Sequence, residues 1–326
     1  MRKQQLWTGI GASLGMLILI LDGKTALEGA RQGVELCLRT VIPSLFPFFL
    51  LSILLTGSFM GLRLSLLRPA GRLFSLPQGA ESILISAFLG GYPVGAQCLA
   101  EASRAGQLER RDTERLLAFC NNAGPAFLFG MVASMFPRQW MAWALWGIHI
   151  VSAWMVSALL PGGGNTARLD GKTSPSLSSA MVSAVTVMSQ VCGWVVLFRV
   201  VIAFLRRWVL WLLPTAAQVA VTGLLELSNG CCDLAAIEDV SLRFVVCSGI
   251  LAFGGLCVTM QTVSVTRGLS LKYYFLGKGL QTLFSLFLSA AVVWKLWAAL
   301  PAIALFFALI PHKIRKNSSN PLPIGV

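Results

Sequence analysis

Five stretches of this chain, residues 41–62, 116–137, 139–167, 173–198 and 244–266, contain no Asp, Glu, Lys or Arg. A helix needs about 20 mostly apolar residues to cross the hydrocarbon core of a bilayer, and each of these runs is long enough. Shorter charge-free runs lie at 6–21, 208–225, 279–294 and 296–311. None of them alternates with period two. The spanning elements must therefore be helices, which satisfy their own backbone hydrogen bonds inside lipid.

Composition agrees with the runs. Of 326 residues, 56% are hydrophobic and 12% are charged, too few charges to cover a water-soluble fold of this size. The net charge of +13 does not mark a nucleic-acid binder, because the Lys and Arg residues are scattered through short connections instead of forming a basic face. They read as charges that set membrane orientation. Eight cysteines follow neither a CxxC pair pattern nor a Cys/His metal spacing, so they read as small hydrophobic residues, and no metal site is expected. Arg2 and Lys3 precede an apolar stretch that ends at Leu21 without a clear small-residue cleavage site. An uncleaved first helix is expected.

Placing arginine-rich loops inside puts Arg2 and Lys3 inside, 22–31 outside, and the loop with Arg63, Arg68 and Arg72 inside. The next polar segment, with Arg104, Arg110, Arg111 and Arg115, also belongs inside, although the apolar stretch 82–100 separates the two. That stretch is interrupted by Gly90, Gly91, Tyr92, Pro93 and Gly95. Each arm has about eight residues, or about 12 Å of helix, well short of the core thickness. It is expected to enter and leave on one side as a re-entrant hairpin.

From there 116–136 crosses outward and 140–160 returns, and a Gly-, Ser- and Pro-rich linker over 161–178 stays inside. The second half repeats this grammar. A long helix over 180–205 is followed by an interrupted segment over 208–229, a helix over 244–262 broken near Gly254-Gly255, and a span over 273–293. Each half has three crossings and one hairpin, and an odd number of crossings inverts the second half relative to the first. The expected fold is thus an all-α polytopic membrane protein with about eight transmembrane helices plus two re-entrant hairpins. Its parts are an N-terminal transmembrane helix (1–30), a first repeat (31–160), the linker, a second, inverted repeat (179–293), and a C-terminal helix with a basic tail (294–326). Arg206 and Arg207 then fall outside, against the orientation rule.

The interruptions carry the chemistry. In Gly91-Tyr92-Pro93-Val94-Gly95, Pro93 suits the start of a new half-helix, since its missing N–H would be unpaired there. The N–H groups of Val94, Gly95 and Ala96 are expected to point into the bilayer midplane. In Asn121-Asn122-Ala123-Gly124-Pro125, Pro125 plays the same part, and the asparagines add donors and acceptors. Helix N-termini facing one cavity favour negative charge. Breaks at Ser228-Asn229-Gly230 and Gly254-Gly255 complete the set. The substrate-binding candidates are Gly91, Tyr92, Pro93, Gly95, Asn121, Asn122, Gly124, Ser228, Asn229, Gly254, Gly255 and Arg199. Arg199 is a cation that pairs with a substrate carboxylate or snorkels to the interface.

Glu226, the single carboxylate between Asp170 and Asp233, is the candidate for proton or cation coupling, with a structural hydrogen bond as the competing role. Arg39 reads as a snorkelling residue and His149 as a packed neutral one. Gly11-Ala12-Ser13-Leu14-Gly15 matches GxSxG but lies in a membrane helix with no strand before it, so it reads as a helix contact. No catalytic residue and no cofactor are expected. The partners expected are a small-molecule solute and the lipid bilayer, with no nucleic acid, and a homo-oligomer is left open.

Several of these segments, together with Pro43-Ser44-Leu45-Phe46-Pro47-Phe48, Leu224-Leu225-Glu226-Leu227-Ser228-Asn229-Gly230 and Phe253-Gly254-Gly255-Leu256 followed by Gln261, resemble the YlbJ-type sporulation integral membrane proteins. Those belong to the nucleoside-recognition, or Gate-domain, superfamily. The resemblance covers about 31–290. It implies a carrier related in design to concentrative nucleoside transporters, with dipicolinate as the cargo at a forespore membrane of an endospore-forming bacterium. A nucleoside cargo and a non-transporting scaffold of a developmental complex are the alternatives.

Overall fold

The chain is described by a computed structural model over residues 2–59, 64–77, 80–160 and 176–295. The C-terminal helix expected over 296–309, the basic tail and most of the linker lie outside these residues. Every regular element among the described residues is helical.

Helix α1 (Arg2–Leu21) leads into α2 (Gly23–Leu36), whose start is fixed by Asp22: its carboxylate accepts from Thr25 N at 3.3 Å. A π turn over Cys37–Val41 joins α2 to α3 (Ile42–Phe59), and the three form one continuous helical rod over Gly23–Phe59, charged along α2 and apolar along α3. The turn lies just ahead of Pro43 and Pro47, which cannot donate to the helical ladder, so the extra residue is absorbed where the ladder is already interrupted.

After α4 (Arg68–Leu73) comes α5 (Ile83–Ile85), extended by a π turn over Ser86–Gly90. The chain breaks at Gly91 and a cis Tyr92–Pro93 peptide before α6 (Val94–Arg104). Then α7 (Arg110–Leu116) and α8 (Pro125–Gly130) are separated by an irregular stretch, and α9 runs Gln139–Leu159. Its 21 residues span about 32 Å at 1.5 Å per residue, one bilayer core.

The same order recurs. Helix α10 (Leu177–Trp208), capped by Ser176, is followed by α11 (Thr215–Leu225) and α12 (Leu227–Asp233), which meet at Glu226. Helix α13 (Val240–Phe253), capped by Asp239, meets α14 (Gly255–Val265) at Gly254, and α15 (Lys272–Val293) closes the series. Long helix, broken pair, broken pair and long helix thus occur twice. Among the described residues five helical stretches are long and apolar enough to cross a membrane: Gly23–Phe59, Gln139–Leu159, Leu177–Trp208, Val240–Val265 and Lys272–Val293. The chain is a polytopic helical membrane protein.

The break expected in 116–136 is present: residues 117–124 leave the helix and Pro125 starts α8. One expectation needs correction. The second-half break lies at Glu226 (φ −146°, ψ 120°), while Ser228, Asn229 and Gly230 are already inside α12. Arg206 and Arg207, which fall against the orientation rule, are neutralised in place. Arg206 pairs with Asp233, and Arg207 sits 3.3 Å from Asp22 and donates to Thr25 Oγ1 at 3.0 Å.

Candidate functional site

The four breaks meet. A carbon added at Gly124 would lie 3.0 Å from Gly91 Cα, and one added at Gly254 would lie 3.1 Å from the Tyr92 ring. One added at Gly255 would lie 3.2 Å from Leu227 N. Glycine is required at these points because backbones or rings touch where a side chain would stand, and Gly91, Gly254 and Gly255 also have φ between 76° and 84°. A cavity of about 30 Å³ lies among the breaks, lined by Leu45, Gly91, Tyr92, Ala123, Gly124, Phe127, Val191, Glu226, Leu227, Ser228, Val258 and Gln261. That volume holds about one water. A second, wider hollow of about 440 Å³ is bounded by Arg39, Thr40, Pro43, Ser44, Met131 and Cys232 among others. Ser44 lines this hollow and its neighbour Leu45 lines the cavity.

Of the residues expected at the site, Gly91, Tyr92, Gly124, Ser228 and Glu226 line the cavity. The others stand behind it. Pro93 and Gly95 turn and pack the break between α5 and α6, and a carbon at Gly95 would lie 2.1 Å from Cys120 O. The free donors expected at the start of α6 are largely spent, since Val94 N and Gly95 N both donate to Gly91 O, at 2.9 and 3.4 Å. Asn121 Nδ2 donates to Thr262 Oγ1 at 2.9 Å, and Asn122 Nδ2 to Phe119 O at 2.6 Å. Both asparagines therefore hold the break in shape. Gly254 and Gly255 form the turn between α13 and α14. Arg199 is placed elsewhere, with its guanidinium donating twice to Gln32 Oε1 at 2.9 and 3.2 Å. Arg39 pairs with Glu35 at 3.1 Å on an exposed surface.

Glu226 is 2% exposed, and its carboxylate is bound within its own turn. Oε1 accepts from Ser228 N at 3.0 Å, and Oε2 from Asn229 N at 2.7 Å and Asn229 Nδ2 at 2.8 Å. A carboxylate buried without a cation is costly; here three N–H donors and the positive end of α12 offset that cost. Ser228 and Asn229 thus bind an internal carboxylate. His149 Nε2 accepts from Ala123 N at 3.1 Å, so that nitrogen carries a lone pair and the ring pins the asparagine break.

The charged residue that the apolar pattern hides is Lys278, on α15 and 2% exposed. Its Nζ donates to Asn121 O at 2.6 Å and Tyr92 Oη at 2.8 Å, and lies 3.1 Å from Gln281 Oε1 and 3.4 Å from Ala252 O. Gln281 Nε2 continues to Asn122 Oδ1 at 2.9 Å. Gly277 makes this reach feasible: a carbon there would lie 2.3 Å from Ala118 O, so α15 lies flush against the end of α7. A signal was present, since a lysine inside a 22-residue apolar helix normally faces a polar interior.

No protein-family profile matches the chain. No solved structure matches it either. Among curated proteins, the Sporulation integral membrane protein YlbJ of Bacillus subtilis (strain 168) is 27% identical over 338 aligned positions, which cover 86% of this chain and 80% of that protein. The chain is therefore an integral membrane protein similar, over most of its length, to a YlbJ-type sporulation integral membrane protein.

Proposed function

We propose that the chain is a secondary transporter of a small polar or anionic solute, held near the bilayer midplane between two inverted repeats. In this reading α5–α6 and α11–α12 are re-entrant hairpins, and α7–α8 and α13–α14 are interrupted spans. The observation that supports it is the convergence of all four breaks on one cavity, the design in which irregular backbone is tolerated at membrane depth because it lines a binding site. The cavity is too small for a solute beyond about one water, so the arrangement corresponds to a closed state. Binding requires the Gly91 and Gly124 backbones to part.

Similarity to a sporulation membrane protein supports dipicolinate as the first cargo to test. Purified protein in liposomes is expected to accumulate radiolabelled dipicolinate saturably. Ser228→Leu, which fills the cavity, is expected to abolish uptake without preventing membrane insertion. Competition by nucleosides would move the cargo to that class while keeping the mechanism. No flux of either would overturn the transport reading. A scaffold role is favoured by α1, whose Leu6, Trp7, Ile20 and Leu21 are all more than 60% exposed; it predicts a partner that co-purifies with the full chain and is lost when α1 is removed.

A further inference from the structure

Lys278 has no part in the reading above, and its surroundings are unusual for a buried cation. Among the described residues no carboxylate lies within ion-pair distance of it. Its neighbours are four oxygens, from Asn121, Tyr92, Gln281 and Ala252. All four are oriented as acceptors. The two main-chain carbonyls cannot donate, and Tyr92 directs its hydroxyl proton to Leu251 O at 3.3 Å. Gln281 turns its amide nitrogen toward Asn122 Oδ1 and His149 O, leaving its oxygen facing the lysine. A neutral amine would set a lone pair against one of these oxygens, whereas an ammonium has donors only.

The cage also draws on chain ends. Ala252 lies in the last turn of α13, where carbonyls lack helical partners and the negative end of the helix dipole falls. Asn121 lies in the break ahead of α8. Carriers built from broken helices use this donor class, unwound carbonyls and half-helix C-termini, to coordinate sodium. We infer that the Lys278 ammonium is a built-in cation, occupying the oxygen cage that an alkali-metal ion would otherwise take and tying the first-half breaks at Tyr92 and Asn121 to α13 and α15. The closed arrangement then needs no bound sodium, and it opens only when Nζ leaves two of its oxygens. The inference rests on the transport reading for its bearing on flux, but its test does not.

The test uses the full-length protein in detergent, unfolded by heat in sodium, potassium or choline chloride at equal ionic strength, with binding of radioactive sodium measured alongside. Wild type is expected to unfold at one temperature in all three salts and to bind no sodium saturably. Lys278→Ala keeps the oxygens and empties the cage. It should unfold at a lower temperature in choline and recover saturably with an alkali cation, as linkage requires for an ion that binds the folded state alone. Lys278→Met removes the charge but leaves the stem in the cage, and should stay low in every salt. Saturable sodium binding by wild type, or a folded Lys278→Ala variant indifferent to alkali cations, would overturn the inference. Where neither variant folds, the wild-type binding measurement decides alone. None of these readouts requires a solute, so failure to move dipicolinate sinks the transport reading and leaves this one standing.

Discussion

At the scale of single residues, Glu226 has two roles open to it, and the geometry separates them. Its carboxylate satisfies two backbone donors of α12 and one amide hydrogen of Asn229, which is the work of a helix cap. Caps of this kind contribute about 0.5–2 kcal/mol, and more for a charged acceptor out of water. Glu226→Ala is therefore expected to lower the unfolding temperature measurably, and Glu226→Gln, which keeps one acceptor, to lower it less. If thermal unfolding in detergent ranks both variants with wild type while flux is lost, the capping role is wrong and a coupling role remains.

Sequence pattern exposed Tyr92 and Glu226 because each stands out locally, one in a Gly-Tyr-Pro turn and the other as an isolated carboxylate. Lys278 lies inside the span expected over 273–293, but the charge-free run opens only after it, so a reading by charge-free runs passes over it. Two of its four partners, moreover, are main-chain oxygens, of Asn121 and Ala252, that leave no mark in the side-chain pattern. Glutamate is also uncommon as a cap, so the second-half break was expected two residues late, at the more familiar Ser-Asn-Gly.

At the scale of elements, the breaks were readable and the contacts that seat them were not. Proline and glycine interrupt a helix by local chemistry, the missing donor and the missing Cβ, so their consequence is legible from sequence. Which glycine lies under which backbone depends on the packing of distant segments. Gly277 and Gly147 show the difference. Both lie within apolar helices, yet a carbon at Gly277 would fall 2.3 Å from Ala118 O, while nothing lies within 4 Å of one at Gly147. Gly277→Ala should cost about 1–3 kcal/mol or more by forcing α15 away from the end of α7, and with it Lys278 from its oxygens. Gly147→Ala should be neutral or stabilising by up to about 1 kcal/mol, since alanine is the better helix former. Equal unfolding temperatures for the two variants would show that α15 does not pack flush on α7.

At the scale of the whole molecule, the repeated element order was legible in the hydrophobic runs, whereas the joining of the ends was not, because it depends on side chains meeting across the chain. Arg104 Nη2 donates to Val265 O at 2.6 Å, and Glu114 accepts from Ser270 N at 2.7 Å. These bonds place the connection after α6 beside the connection after α14. At another set of connections, Arg243 Nη1 donates to Met135 O at 2.8 Å and Arg243 Nε to Ile237 O at 2.8 Å, which brings the α8–α9 link beside the α12–α13 link. Inversion requires these two groups to lie on opposite membrane faces, since α9, and α13 with α14 together, each run from the second group toward the first. Cysteines introduced singly at Ala105, Arg267, Arg138 and Glu238, all exposed, test this in a background where the half-buried Cys192 and Cys232 are alanine. A membrane-impermeant thiol reagent added to sealed cells should label Arg138→Cys and Glu238→Cys together and should reach Ala105→Cys and Arg267→Cys only after the membrane is opened. The arginine-rich segment 104–115 assigns the protected face to the cytoplasm. Labelling of Ala105→Cys and Glu238→Cys from the same side would make the repeats parallel, and the breaks could then meet without forming the alternating-access arrangement on which the transport proposal rests.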